Sequence, residues 1–419
     1  METIFIQIAS YRDPELVPTI NDLIDKAANP NNLRFGIAWQ NNKKNDAWDN
    51  IDLFKNDKRF RIIDIDYKQS QGVCWARNKV QQLYNNEKYT LQIDSHHRFI
   101  KDWDILLIDM VKNLQNDGYN KPLITTYLPS YNPKNDPSDR VMVPWKMNFD
   151  RFIPEGAVFF LPAPFDNNDD ITKPIPSRFY SAHFAFTLGD FVKEVQHDPN
   201  YYFHGEEISI AVRAFTHGYD LFHPNIVVAW HEYTRKDRTK QWDDDKTWHV
   251  RNQLSHLRNR KLFGMDNEKQ DIDFEKYGFG NIRSLTDYEK YSGLSFKSRS
   301  ITDDVIYHKN PNLNNIDIPD KDFQESLQHI FKYCINLPSD KINENDYDFW
   351  VVAFHDAEDR TVYRKDSDKE EIKNTVSNGR PTFYNIWREF HVSEMPKKWV
   401  VWPHSLSKGW CEKIEGSII

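Results

Sequence analysis

Cysteine is scarce in this chain: Cys74, Cys334 and Cys411 are the only three in 419 residues. Three scattered thiols give neither a disulfide framework nor a cysteine-rich metal site, and they suit a reducing compartment. Long apolar runs are also missing. No window approaches the roughly 20 apolar residues that span a bilayer. The opening "METIFIQIASYRDPE" has a short apolar stretch and no basic leader, so it reads as a first strand rather than a signal peptide. These features lead us to expect a soluble, cytoplasmic protein. Positive charge is not in excess: the formal net charge is −8, which argues against a general nucleic-acid or anionic-membrane binder. No P-loop is found, and no GxGxxG follows the first strand, so the chain is not an obvious NTPase or nicotinamide-dependent dehydrogenase. Internal repeats and low-complexity tracts are absent.

What is present is a chain able to build a large core, with 39% hydrophobic and 14% aromatic residues. "TIFIQIASYRD", "LRFGIAWQ", "FRIIDIDY" and "YTLQIDSHH" read as strands, and helical patterns such as "PELVPTINDLIDKA" and "SQGVCWARNKVQQLYNN" alternate with them. That alternation predicts an α/β fold with a doubly wound, mostly parallel sheet. We expect residues 1–265 to form this domain and 266–321 to be a connector. Residues 322–419 should form a small, mostly β module, with "DFQESLQHIFKYCINL" as a helix before its aromatic strands.

The fourth strand ends abruptly in Asp94-Ser95-His96-His97. Strand alternation aims Asp94 and His96 the same way, at the sheet edge where α/β proteins bind ligands, and turns His97 to the other side. A carboxylate and an imidazole side by side call for a third ligand. "IVVAWHEYTR" supplies a candidate in His231, which also ends a strand. Asp94, His96 and His231 would hold a divalent cation; Mn2+ is favoured, and Zn2+, Fe2+ and Mg2+ stay open. Three protein ligands leave positions for a diphosphate. The plain alternative is a turn with local hydrogen bonds.

The segments "IASYRDPEL", "QGVCWARN", "QIDSHHRFIKDWD", "FHGEEISIAVRAFTHGYDLFHP" and "WHEYTR" occur in the order of a GT-A glycosyltransferase. Over about Thr3 to Met265 the chain resembles the hydroxyproline-linked GlcNAc-transferase family. It is more distantly similar to the mucin-type polypeptide GalNAc-transferases. The Asp-Ser-His motif of the latter corresponds to Asp94-Ser95-His96, their Gly-Gly-Glu-Asn stretch to Gly205-Glu206-Glu207, and their later metal-binding histidine to His231. The chain departs from them at Trp75, where they carry arginine, and at Glu207, where they carry asparagine. It also lacks their lectin domain.

The resemblance implies a retaining, Mn2+-dependent transferase that moves a sugar, UDP-GlcNAc being the expected donor, to an acceptor hydroxyl on a protein or glycan. The uridine is expected over Ala9, Ser10, Tyr11 and Arg12, with Arg12 reaching phosphate; the plain alternative is an Arg12–Asp13 surface pair. Gly72 lets backbone approach the ligand, and Trp75, Arg77 and Ser95 are expected near the nucleotide. Glu206 and Glu207 are the catalytic candidates, against a bland reading as first-turn helix carboxylates. His183 and His204 would line the same pocket, and Arg235 with "KDRTKQWDDD" would close over the diphosphate as a lid. Rival readings are a transferase of surface polysaccharide or glycolipid synthesis, a non-enzymatic carbohydrate-binding protein built on the C-terminal aromatics, and a nucleotidyltransferase.

Overall fold

The computed structural model describes residues 2–44, 46, 51–166, 169–234, 238–268, 271–379, 382–392 and 395–418. The chain forms two compact units: Met1–Lys297 with Asp304–Pro319, and Ser298–Asp303 with Asp320–Ile419. No helix among the described residues is long and apolar enough to cross a membrane.

The first unit begins β1 (Ile4–Tyr11), α1 (Leu16–Lys26), β2 (Leu33–Asn41), β3 (Phe60–Asp66), α2 (Val73–Gln81), β4 (Tyr89–Ile93) and β5 (His97–Phe99). There follow α3 (Trp103–Asn116), β6 (Pro122–Thr125), β7 (Trp145–Phe152), β8 (Val158–Pro164), β9 (Ile175–Pro176) and β10 (Phe184–Leu188). The remainder contributes α4 (Phe191–Glu194), α5 (Glu206–Thr216), β11 (Asp220–His223), β12 (Ala229–His231), α6 (Gln241–Asp244), α7 (Trp248–Phe263) and α8 (Leu285–Ser292).

Eight strands make one sheet in the order β3-β2-β1-β4-β10-β6-β11-β9. The first four are parallel, β10 runs against both its neighbours, and β9 runs against β11. The sheet is thus mostly parallel and covered on both faces, as GT-A-like α/β folds are. Alternation explains the covering. Ile4, Ile6 and Ile8 join a core with Leu16, Ile20 and Leu23 of α1 and Trp103, Leu107 and Val111 of α3. Phe5, between them, turns to the opposite face and packs with Ala76 and Val80 of α2. The stretch expected as a connector carries α8, whose buried Tyr288 and Tyr291 donate to the carbonyls of Arg178 (2.6 Å) and Ser177 (2.9 Å).

The second unit is mainly antiparallel. Leu327–Pro338 pairs with Phe383–Val392, and Tyr347–His355 pairs with Lys398–Ser405. Trp350, Phe354, Phe331 and Phe390 are in its core. The helix expected from Asp322 is present only as Asp320–Glu325; Leu327–Pro338 is a strand. The reason lies in the side chains: Phe331, Tyr333, Ile335 and Leu337 recur at every second residue, the period of a half-buried strand.

Candidate functional site

β1 and β4 lie side by side and end at the same sheet edge. Beyond Ile93 the chain leaves the sheet through Asp94–His96 and re-forms as β5, which pairs with β12 in the register His97–His231. This short ladder, with a hydrogen bond from His231 N to Pro129 O (3.0 Å), places His231 over the end of β4. Asp94, His96 and His231 each offer a ligand atom, and the three atoms lie within 4.8 Å of one another. Asp94 Oδ2 is 3.8 Å from His96 Nε2 and 3.7 Å from His231 Nε2.

These residues fit a metal. His96 Nε2 and both ring nitrogens of His231 are buried with no hydrogen-bond partner among the described residues, a costly state unless something fills the space between them. Burial holds His231 well below the usual histidine range, so the ring is neutral, as a ligand must be. Asp94 is ionised: burial opposes this, but the Arg77 guanidinium outweighs it. Arg77 Nη2 donates to Asp94 Oδ1 (2.7 Å), which leaves Oδ2 facing the histidines.

His97 departs from expectation. Alternation does not carry past Ile93, because the strand has ended, so His97 turns into the same cluster. Its ring is 4.8 Å from that of His231. His183 stacks on His231 at 4.2 Å. Burial keeps both rings neutral.

Two cavities meet at Asp94. One is lined by Ala9, Tyr11, Asp13, Gly72, Ser95, His96 and the segment Arg238–Trp242. Here α2 starts without a side-chain cap, so its first amide groups are free to face an anion. Gly72 has φ +112°, and a Cβ there would stand 2.7 Å from the Tyr202 ring. The other cavity is lined by Arg77, Tyr127, His183, His204, Glu206, Glu207, His231 and Tyr233.

The remaining expected residues fall as follows. Ser10 is buried within β1 while its neighbours Ala9 and Tyr11 line the first cavity. Arg12 does not pair with Asp13. It bonds Asp46 (2.7 Å) and Asp244 (2.8 Å), and Asp13 is buried. Trp75 is half-buried, with the Lys79 ammonium 4.7 Å from its ring centroid, and lines neither cavity. Arg235 lies outside the described residues. The described part of the segment expected as a lid lines the first cavity: Tyr11 Oη donates to Asp244 Oδ2 (2.7 Å), Tyr202 Oη to Gln241 Oε1 and Arg238 Nη1 to Asp13 Oδ2 (2.8 Å).

Glu206 is engaged from below. It accepts from Arg77 Nη1 (2.7 Å) and from the Cys74 thiol, and His197 Nδ1 is 3.6 Å away. Burial pushes the Cys74 thiol up, so it stays a donor, and this trio serves as an anchor for Arg77. Glu207 accepts from Tyr127 Oη (2.7 Å) and the Ala182 amide (2.8 Å). Burial pushes it up to about 7. Asp13 and Tyr233 lie within the motif segments but carry no site role in the sequence reading, where Asp13 is only a surface partner of Arg12; Tyr127 lies outside every motif and is brought in by tertiary contact.

A family model described as glycosyltransferase (GlcNAc) matches residues 3–59 and 50–298. Comparison with curated proteins finds no match. Among solved structures, GalNAc-T7 with UDP, GalNAc and Mn2+ is similar at 11% identity and TM-score 0.47, over 67% of this chain and 55% of that one. S. aureus TarS in complex with UDP-GlcNAc is similar at 10% identity and TM-score 0.36, over 64% of this chain and 68% of that one. TarS residues 1–349 alone are similar over 55% of this chain and 60% of that one, at 10% identity and TM-score 0.34. The chain thus spans less than two thirds of the GalNAc-T7 chain and of that TarS fragment.

Proposed function

The chain belongs to the GlcNAc glycosyltransferase family, and on that premise we propose that it transfers a sugar, GlcNAc first among the candidates, from a UDP-sugar to an acceptor hydroxyl with retention of configuration. A hydroxyproline-type hydroxyl on a protein is the acceptor this reading favours. The observation that carries it is the convergence of Asp94, His96 and His231 where two cavities meet.

On this reading the three residues hold a divalent cation, Mn2+ rather than Mg2+ because two of the donors are imidazoles. Such an ion, when bound, neutralises the diphosphate and makes UDP a better leaving group. The nucleotide takes the cavity beside Ala9 and Tyr11, and the amides that open α2 donate to the diphosphate. The lid segment excludes water from the donor. The sugar takes the second cavity, where Glu207, His204 and Tyr233 offer hydrogen bonds to its hydroxyls. Glu206 is spoken for by Arg77 and Cys74 and does not attack the sugar; it steadies Arg77 and, through it, Asp94. The acceptor proton passes to a phosphate oxygen of the departing UDP on the same face.

The test is a panel of nucleotide-sugars with Mn2+, scored for UDP release. A UDP-sugar should be turned over, and chelator or Asp94→Ala should abolish turnover. Full activity in excess chelator would contradict the metal assignment.

A further inference from the structure

We propose that Asp13 is the positioning residue that holds His96 in the tautomer able to bind a metal. The inference rests on the metal reading above and adds a residue to it. Asp13 is 3% exposed. Its Oδ2 lies 2.8 Å from His96 Nδ1 and accepts from Ser95 Oγ (2.8 Å) and Arg238 Nη1 (2.8 Å), while Oδ1 accepts from the Glu15 amide (2.9 Å). Every donor around this carboxylate converges on an anion. Arg238 Nη1 also lies against His96 Nδ1. A guanidinium can only donate, so this contact competes with Asp13 for the proton position on that nitrogen; the carboxylate, the anion on which Arg238 itself bonds, is the stronger partner of the Nδ1 proton.

A carboxylate beside Nδ1 draws the imidazole proton to that nitrogen and leaves the lone pair on Nε2. Nε2 is the atom that faces Asp94 and has no partner among the described residues. A carboxylate behind a histidine ligand is how metal sites fix ring orientation and raise ligand basicity. His231 has no such support: neither of its ring nitrogens has a partner among the described residues, and its ring is held by stacking on His183. One of the two histidines is therefore set by Asp13 and the other by packing.

Asp13→Asn tests this. Asparagine cannot serve all four donors. Turned to accept from the Glu15 amide, its NH2 faces Nδ1 and drives the histidine proton to Nε2; turned the other way, a neutral oxygen replaces the carboxylate and its hold on the Nδ1 proton weakens. Mn2+ binding to the full chain is read from the free-ion magnetic-resonance signal, without donor or turnover. Asp13→Asn should weaken it about 10- to 100-fold, and the spectrum of the bound ion should lose one imidazole nitrogen coupling. His96→Ala should lose a similar amount, and the double variant no more than His96→Ala alone. Wild-type affinity in Asp13→Asn, or losses that multiply in the double variant, would overturn the inference while leaving the metal assignment standing. Absence of Mn2+ binding by the wild type would overturn both. If Asp13→Asn fails to fold, nitrogen NMR of the metal-free wild type decides: an unprotonated Nε2 on His96 upholds the inference, and a protonated one overturns it.

Discussion

Arg77 stands between two carboxylates that would otherwise face each other uncompensated in the interior, Asp94 and Glu206. Removing one partner of a buried ion pair leaves charge without compensation and costs about 3–5 kcal/mol. Arg77→Met should therefore lower unfolding stability by that order in chemical denaturation, and added Mn2+ should restore part of it by taking over Asp94. Glu206→Gln should lower Mn2+-dependent UDP affinity and transfer together, transfer on the order of 100-fold, because Arg77 and, through it, Asp94 lose their rigid anchor; wild-type turnover would reduce Glu206 to a helix-end carboxylate. Glu289 makes a separate case. Burial pushes it from its ordinary 4.5 up to about 7, while its carboxylate accepts from the Phe296 amide (2.8 Å). Between those pH values the folded chain keeps a proton that the unfolded chain has released. Stability therefore falls as pH rises through the window, by roughly 3 kcal/mol, and levels off above it. Glu289→Gln should remove that part of the decline when denaturation is followed from pH 5 to 8. At this scale the sequence showed the ligand candidates Asp94, His96 and His231, since each sits in a local motif at a strand end. It placed Asp13 only in a surface pair with Arg12 and turned His97 away from the site. The contact between Asp13 and His96 and the turn of His97 both depend on a chain that leaves the sheet at Ile93, which alternation cannot foresee.

On the proposed reading, the segment 238–244 is the element that decides whether donor and water meet. α6 is a single turn, yet Asp244 takes hydrogen bonds from both Tyr11 and Arg12 of the β1 end, and Gln241 takes one from Tyr202. Each such bond contributes about 1 kcal/mol. Asp244→Ala removes two of them, about 2 kcal/mol together, and should loosen closure, so UDP release without acceptor should rise by up to about 30-fold in the presence of Mn2+. An unchanged hydrolysis rate would show that this segment does not gate water. The elements themselves were legible where their pattern was strong: the parallel strands β1 to β4 and the helices α1 and α2 follow the apolar spacing. Leu327–Pro338 was misread as helix because it follows a true helical turn at Asp320–Glu325, and its alternation of Phe331, Tyr333, Ile335 and Leu337 begins only afterwards. The β5–β12 ladder is three residues long on each side, too short for periodicity to announce, and it is the device that brings His231 to Asp94.

At the scale of the whole molecule the composition shift near Asp322 pointed to a second module, but composition cannot reveal that the chain passes between units more than once. Ser298–Asp303 belongs with the second unit, and Asp304–Pro319 returns to the first. That return segment is part of the first unit's structure. Val305 is 2% exposed, Asn310 Nδ2 donates to Asp169 Oδ1 (2.9 Å), and the Lys309 carbonyl accepts from the buried guanidinium of Arg178, which also donates to Ser292 O (2.6 Å). Two truncations therefore separate what the composition would treat as one boundary. Ending the chain after Pro319 keeps every one of these contacts. Ending it after Lys297 removes Val305 from the core and leaves Arg178 short of an acceptor, a cost on the order of 3 kcal/mol from the unsatisfied buried donor and lost packing together. The longer truncation product should melt several degrees above the shorter one and retain Mn2+-dependent UDP release; the shorter one should lose both. Equal melting of the two would mean that residues 304–319 are only a tether.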